Sequence, residues 1–179
     1  MNIFYLDNDI NKCAEYHTDK HVVKMILEYA QLLSTAHRVI DGNLLTAYGE
    51  KGRKTEIWRL PDDRQTTLYK ATHINHPSAI WARKSDSNYK WLYQMLASLC
   101  TEYTYRYSKV HSTERLLPLL SKVPSKIAVG VFTEPSVAMP EEYVVEGDSI
   151  QSYKNYYVKG KRHLHSWRGR GVPVWVSNL

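Results

Sequence analysis

Between residues 16 and 38 the chain reads YHTDKHVVKMILEYAQLLSTAHR, and no other stretch limits the fold so strongly. Val22, Val23, Met25, Ile26, Leu27, Ala30, Leu32, Leu33 and Ala36 leave little polar surface, which predicts a largely buried helix. Within it His17, His21, Lys24, Glu28 and Gln31 follow at steps of four, three, four and three. At 3.6 residues per turn these steps place all five on one line. So narrow a stripe faces either water or a site, and a water-facing surface would be wider and richer in Lys and Glu. Two imidazoles, an amine, a carboxylate and an amide form a catalytic inventory. The plainer reading is that HxxxH is frequent on helices. A Lys and a Glu four apart can also be a surface ion pair, stabilising by roughly 0.3 kcal/mol. Five such residues in register on one apolar helix tip the balance toward a site.

Composition bounds what surrounds that helix. A length of 179 residues suits one domain, and 43% hydrophobic residues allow a real core. No apolar run reaches the ~20 residues of a membrane helix. The acidic start MNIFYLDNDIN does not read as a signal peptide. Cys13 and Cys100 form neither a disulfide framework nor a zinc cluster, so a reduced, cytoplasmic setting is expected. A net charge of +6 favours a polyanionic partner. The 14 Tyr and 5 Trp, against 2 Phe, can stack on bases or simply fill a half-wet core.

The pattern predicts an all-α single domain, residues 1–179, of about five to seven helices with long irregular loops. Asp7 or Asp9 can cap a first helix from about Ile10, with a break and a second cap near Thr18. Asp41, Gly42 and Asn43 stop the central helix. Residues 42–72 read as a long loop with a short helix near 62–70. Lys51, Arg53 and Lys54 make that loop either a phosphate-contacting flap or a solvated insertion. Pro77 opens a helix that breaks near residue 84 and is recapped by Ser85 or Asp86. The helix that follows places Leu92, Leu96, Leu99 and Tyr103 on one face, toward the central helix. Its other face is expected to show Asn88, Lys90, Tyr93, Thr101 and Arg106. A short helix near 112–123, an extended loop over 123–140, a helix capped by Asp148 and an irregular tail complete the chain.

Three constellations can carry chemistry. On the central stripe, an amine held on an apolar helix would lose hydration, and the neutral form of Lys24 could attack a sugar C1′. Glu28 would stabilise the developing cation, with His17 and His21 as acid and base. A metal at His17 and His21, completed by His73, His76 or Glu28, is the weaker reading, since two ligands make no site and HExxH is absent. The second constellation is His73, Asn75, His76, Trp81 and Arg83 around a helix start, read as substrate-contacting or as ordinary capping. The third is the basic and aromatic C-terminal stretch, including Tyr156, Trp167, Arg168 and Arg170, read as nucleic-acid-binding or as a solvated basic tail. Gln31 and Arg38 join the binding set. No P-loop, Rossmann or GxSxG motif is present, and no cofactor is expected.

Residues 16–38, with HPSAIWAR, NYKWLY, SYKNYY and the closing VPVW, resemble a family of small phage-encoded proteins. That resemblance implies the cytoplasm of a bacterial host. In the order of its elements the chain also resembles the phage pyrimidine-dimer DNA glycosylases of the endonuclease V type. AEYHTDKH is similar to that family's first helix, HPSAIWAR with the long helix to its second, and SYKNYY to its aromatic tail. The resemblance implies an all-α enzyme that attacks DNA with the α-amine of a small residue exposed by removal of the initiator Met. Asn2 is large for that, so an amine from Lys24 or Met1 would substitute. The family's Glu has Lys24 nearest it and Glu28 one turn on. The expected function is therefore a DNA-acting glycosylase, lyase or base-modifying enzyme. DNA or a nucleotide is the expected partner, with no membrane role and an open oligomeric state. A non-catalytic nucleic-acid or host-factor binder is the alternative, and a metal-dependent nucleotide hydrolase is a third.

Overall fold

The computed structural model describes residues 1–48 and 52–177. Helix α1 (Ile10–Tyr16) starts where the Asp9 carboxylate accepts from the amides of Asn11 and Lys12. It ends at His17, and helix α2 (Asp19–Asp41) begins after Thr18, whose side chain makes no capping bond. The inner side of α2 is fully buried from Val22 through Ala36 and lies along α5 (Asp86–Tyr107), where Leu92, Met95, Leu96 and Leu99 answer it. The short helix α4 (Pro77–Ala82) packs on the same helix, with Pro77 in its first turn. The segment before α1 is core: Ile3, Phe4, Tyr5 and Leu6 are all buried.

Residues 42–72 depart from the loop expectation. Strands β1 (Asn43–Tyr48) and β2 (Lys54–Arg59) pair antiparallel, from Asn43 opposite Arg59 to Tyr48 opposite Lys54. β-Branched and aromatic residues on both sides of a glycine-bearing connection are a hairpin pattern. Gly42 is required where the hairpin leaves α2, because a Cβ there would sit 2.4 Å from the Arg38 carbonyl oxygen. Helix α3 is one turn (Arg64–Thr67). Lys51 lies outside the described residues. Arg53 and Lys54 are exposed toward the far end of the hairpin.

A 3-10 turn (Ser112–Leu116) runs into α6 (Leu117–Leu120), which Pro118 opens. Residues 123–140 are extended chain, as the three prolines imply. Asp148 caps α7 (Ser149–Asn155), which loosens into a π turn (Tyr156–Gly160), and the tail carries α8 (Val174–Ser177). The described residues thus hold eight α-helices and a single two-stranded hairpin, a mostly helical fold. No described helix is long and apolar enough to cross a membrane.

Two residues expected on the outer face of α5 are instead buried. Asn88 donates to the Trp81 carbonyl and accepts from the Thr133 amide, fastening the extended loop. The Arg106 side chain is fully enclosed and donates to Glu102 (2.7 Å), Asp19 (2.9 Å) and the carbonyls of His17 (2.9 Å) and Glu15 (2.8 Å). Arg170 from the tail closes on the same Glu102 carboxylate at 2.8 Å. Burial raises the Glu102 pKa, but hydrogen bonds from Arg170 and Arg106 outweigh it and hold the group ionised. Replacing Arg106 by Met strands two helix-end carbonyls and leaves the buried Glu102 carboxylate with Arg170 as its one remaining cation. Urea denaturation should show a loss of about 3–5 kcal/mol, the usual cost of breaking a buried pair from one side.

Candidate active site

The stripe survives in part. His17 is not on α2 at all, because the chain turns between the two helices and swings its ring into the core. There Nδ1–H donates to the Cys13 carbonyl (2.7 Å) and Nε2 faces the Tyr29 hydroxyl (3.4 Å). Burial lowers its pKa to about 4. With both ring nitrogens engaged, His17 is a neutral structural group rather than an acid or a metal ligand. His21 is 5% exposed, stacks on Phe4 at 4.3 Å between ring centres, and sets Nδ1 2.6 Å from the Tyr157 hydroxyl. Burial, with the charges of His17, Lys161, Lys24 and His163, brings its pKa down to about 3.

One turn further, the Lys24 amine reaches Glu28 at 3.1 Å. The Lys24 side chain is 66% exposed and that of Glu28 is 14% exposed. This corrects the expectation for Lys24: the helix presents it to water, so desolvation cannot be what frees its amine. Val23 and Leu27 are also partly exposed, which makes this face of α2 an outward one. Glu28 is the half-sheltered member, and Gln31 beside it is half-buried too.

The turn before α4 follows Thr72, which bonds Thr35 of α2. His73 holds a left-handed backbone, φ 48°, sparsely populated for a residue with a Cβ. Its carbonyl accepts from the His76 amide at 2.9 Å. His76 then caps α4, Nδ1 accepting from the Ser78 amide at 3.1 Å, so in its neutral form the ring proton sits on Nε2. Burial lowers the His76 pKa, the positive charges of the amino terminus and His73 lower it further, and Glu28 opposes them. The amino terminus, His73 and Glu28 thus all act on His76 through their charges. Asn75 is exposed.

Other expected contacts are committed elsewhere. All five N–H bonds of Arg38 are used, on the carbonyls of Tyr69, Trp58, Gln65 and Leu68 and on the Gln65 side chain, so it ties α2 to the hairpin and has no donor left for a substrate. Trp81 is buried with its indole N–H on the Thr133 carbonyl, and Arg83 donates to the Ile74 carbonyl. Trp167 is buried and donates to the Tyr16 carbonyl. The Arg168 amide bonds Asp19 while its guanidinium lies over the Tyr107 ring at 5.6 Å. Tyr156 is half-buried, stacked near Tyr143 and covered by the Lys161 amine at 4.8 Å. Among the described residues no group of three or more His, Cys, Asp and Glu is placed to hold a metal ion. Of the rings that hold the two histidines, sequence reasoning passed over Phe4 and Tyr29 and took Tyr157 only as part of the aromatic C-terminal stretch. Their only signal was the aromatic richness of the N-terminal segment and of SYKNYY.

The elements that build this surface, from the amino terminus through α2 and the turn at His73 to α5, fall within a stretch that matches a known family. Residues 1–115 match the family described as pyrimidine dimer DNA glycosylase, and the chain belongs to that family. At family level its function is that of a DNA glycosylase, with DNA as the substrate. No curated protein and no solved structure matches the chain.

The buried imidazoles impose a pH dependence. An unfolded chain protonates each ring near pH 6.5, whereas folded His17 and His21 do so only near 4 and 3. Between those limits the unfolded state binds more protons, so stability falls as pH drops below 6.5. Asp41 adds a second loss. Burial raises its pKa, but hydrogen bonds from Arg64, Ser125 and Lys126 bring it to about 2, so its contribution disappears as pH falls from 3.8 through 2. Denaturation curves from pH 7 to 2 should decline in these two stages. His21→Phe should flatten the first stage and Asp41→Asn the second.

Proposed function

We propose that the chain removes a damaged base from DNA by amine attack at the outer face of α2. An amine at this face adds to the sugar C1′ while the glycosidic C–N bond breaks. The base leaves with the bonding pair and is protonated. Opening of the sugar ring then gives an iminium between C1′ and the amine, and loss of a C2′ proton would expel the 3′ phosphate. Glu28 is the single observation that carries this reading. It is a half-sheltered carboxylate 3.1 Å from the Lys24 amine, and its charge and that of the amino terminus both act on His76. It is suited to stabilise the positive charge developing on the sugar and to relay the proton. In this reading His76 protonates or orients the departing base, and Lys24 supplies positive potential for a phosphate.

Two amines can serve as nucleophile. We assign the attack to the amino terminus, the kind of amine the family resemblance implies, where Met1 begins the mature chain, and Lys24 is then a phosphate and carboxylate partner. Borohydride reduction with a duplex carrying a thymine dimer or an abasic site should trap a covalent complex. Peptide mapping should place the adduct on Met1, with trapping retained in Lys24→Ala. An adduct on Lys24 would reverse the two roles. Glu28→Gln should slow base release by about 10²–10⁴-fold, the range of acid–base and charge-stabilising groups, with DNA affinity nearly unchanged. Salt-sensitive binding with no trapping and no base release would mark a binder and end the enzymatic reading.

A further inference from the structure

Behind the hairpin lies a cleft of about 460 Å³ that the α2 face does not use. Ile57 and Trp58 of β2 and Ile74 give it half-buried apolar walls, and the exposed Arg59 and Lys70 line it together with one exposed carboxylate, Glu56. Its position is built rather than incidental. Arg38 grips the Trp58 carbonyl from one side and the Tyr69 carbonyl from the other, which holds both walls to α2. From Tyr69 the chain continues past Thr72, which bonds Thr35 of α2, to His76, on which the Glu28 charge acts. One segment therefore joins the cleft to the candidate active site. From Glu28 to Arg38 is about 15 Å along the helix axis, at ~1.5 Å per residue. That distance is about four base steps at ~3.4 Å.

We propose that this cleft holds one unpaired nucleotide of the DNA strand on which the Glu28 face acts, an inference that rests on the function proposed above. The volume falls in the range of small-ligand sites and admits one nucleotide, not a base pair. Trp58 is the one aromatic residue in the lining and offers a flat apolar surface to a base, and only an unpaired base exposes its ring face to be stacked. Arg59 and Lys70 match the phosphates on either side. The substrate would then be DNA with single-stranded character about four nucleotides from the reacting sugar, such as a tailed or frayed duplex.

The test compares two duplexes with one abasic site each: one blunt, the other opening into a single-stranded tail about four nucleotides from that site. The wild-type protein should bind the tailed DNA about 5- to 150-fold more tightly, the worth of one stacked base. Trp58→Leu should erase that gain and leave affinity and trapping on the blunt duplex unchanged. Arg59→Gln with Lys70→Gln should lower the log–log salt slope by about 1.4 on tailed DNA alone, at ~0.7 per single-strand phosphate. Thermal melting confirms that each variant is folded. Equal affinity of the wild type for both duplexes overturns the proposal, as does a Trp58→Leu loss that is the same on both. Thymidine monophosphate binding that requires Trp58, without any gain from a tail, also overturns it and marks a free-nucleotide site. Failure to trap the blunt duplex would count against the Glu28 reading alone, since the tail effect is measured as binding.

Discussion

One enclosed guanidinium holds the working parts of this molecule in register. Arg106 projects from the last turn of α5 into the gap between α1 and α2. There it satisfies the carbonyls of Glu15 and His17 that the end of α1 leaves without helical partners. It also pairs with Asp19 in the first turn of α2, where a carboxylate is favoured by the helix dipole as well. Its charge is balanced by Glu102, which in turn recruits Arg170 from the tail. A buried charge is tolerated only when it is paired and fully hydrogen-bonded. Meeting that demand fixes the angle at which α2 leaves α1, and with it the line along which His21, Lys24 and Glu28 emerge.

A second guanidinium does comparable work at the other end of α2. Arg38 spends every N–H on the hairpin and on residues 65–69, where a substrate would find no donor left. Between these clamps α2 is a rigid rod with a buried side and an outward side. The turn at His73, strained in its backbone, leads into His76, on which the Glu28 charge acts. The candidate site is thus assembled from three places in the chain, the amino terminus, α2 and residues 73–76, each held by packing outside the site.

Much of the architecture was legible because it depends on local rules. Asp9, Ser85 and Asp148 are caps where short polar side chains precede helical patterns, and Pro77 opens a helix where a missing N–H costs nothing. The face Leu92, Leu96 and Leu99 points at α2 as its spacing requires. The hairpin was misread as loop, although its β-branched and aromatic residues around glycines carried the pattern. Asn88 and Arg106 were assigned to water by residue type, which cannot report whether enough partners converge to satisfy a polar group inside.

By itself the sequence determined the long apolar helix, its caps, its packing partner and the presence of a carboxylate and an amine one turn apart on it. These follow from periodicity and from which side chains can satisfy a helix end. Only the tertiary structure decided that His17 turns into the core, that Lys24 stands in water, that Arg38 is a brace, and that the charges of the amino terminus and Glu28 both act on His76. Each of those outcomes depends on which distant residue arrives to complete a hydrogen bond or exclude solvent, and spacing along one helix carries no record of that.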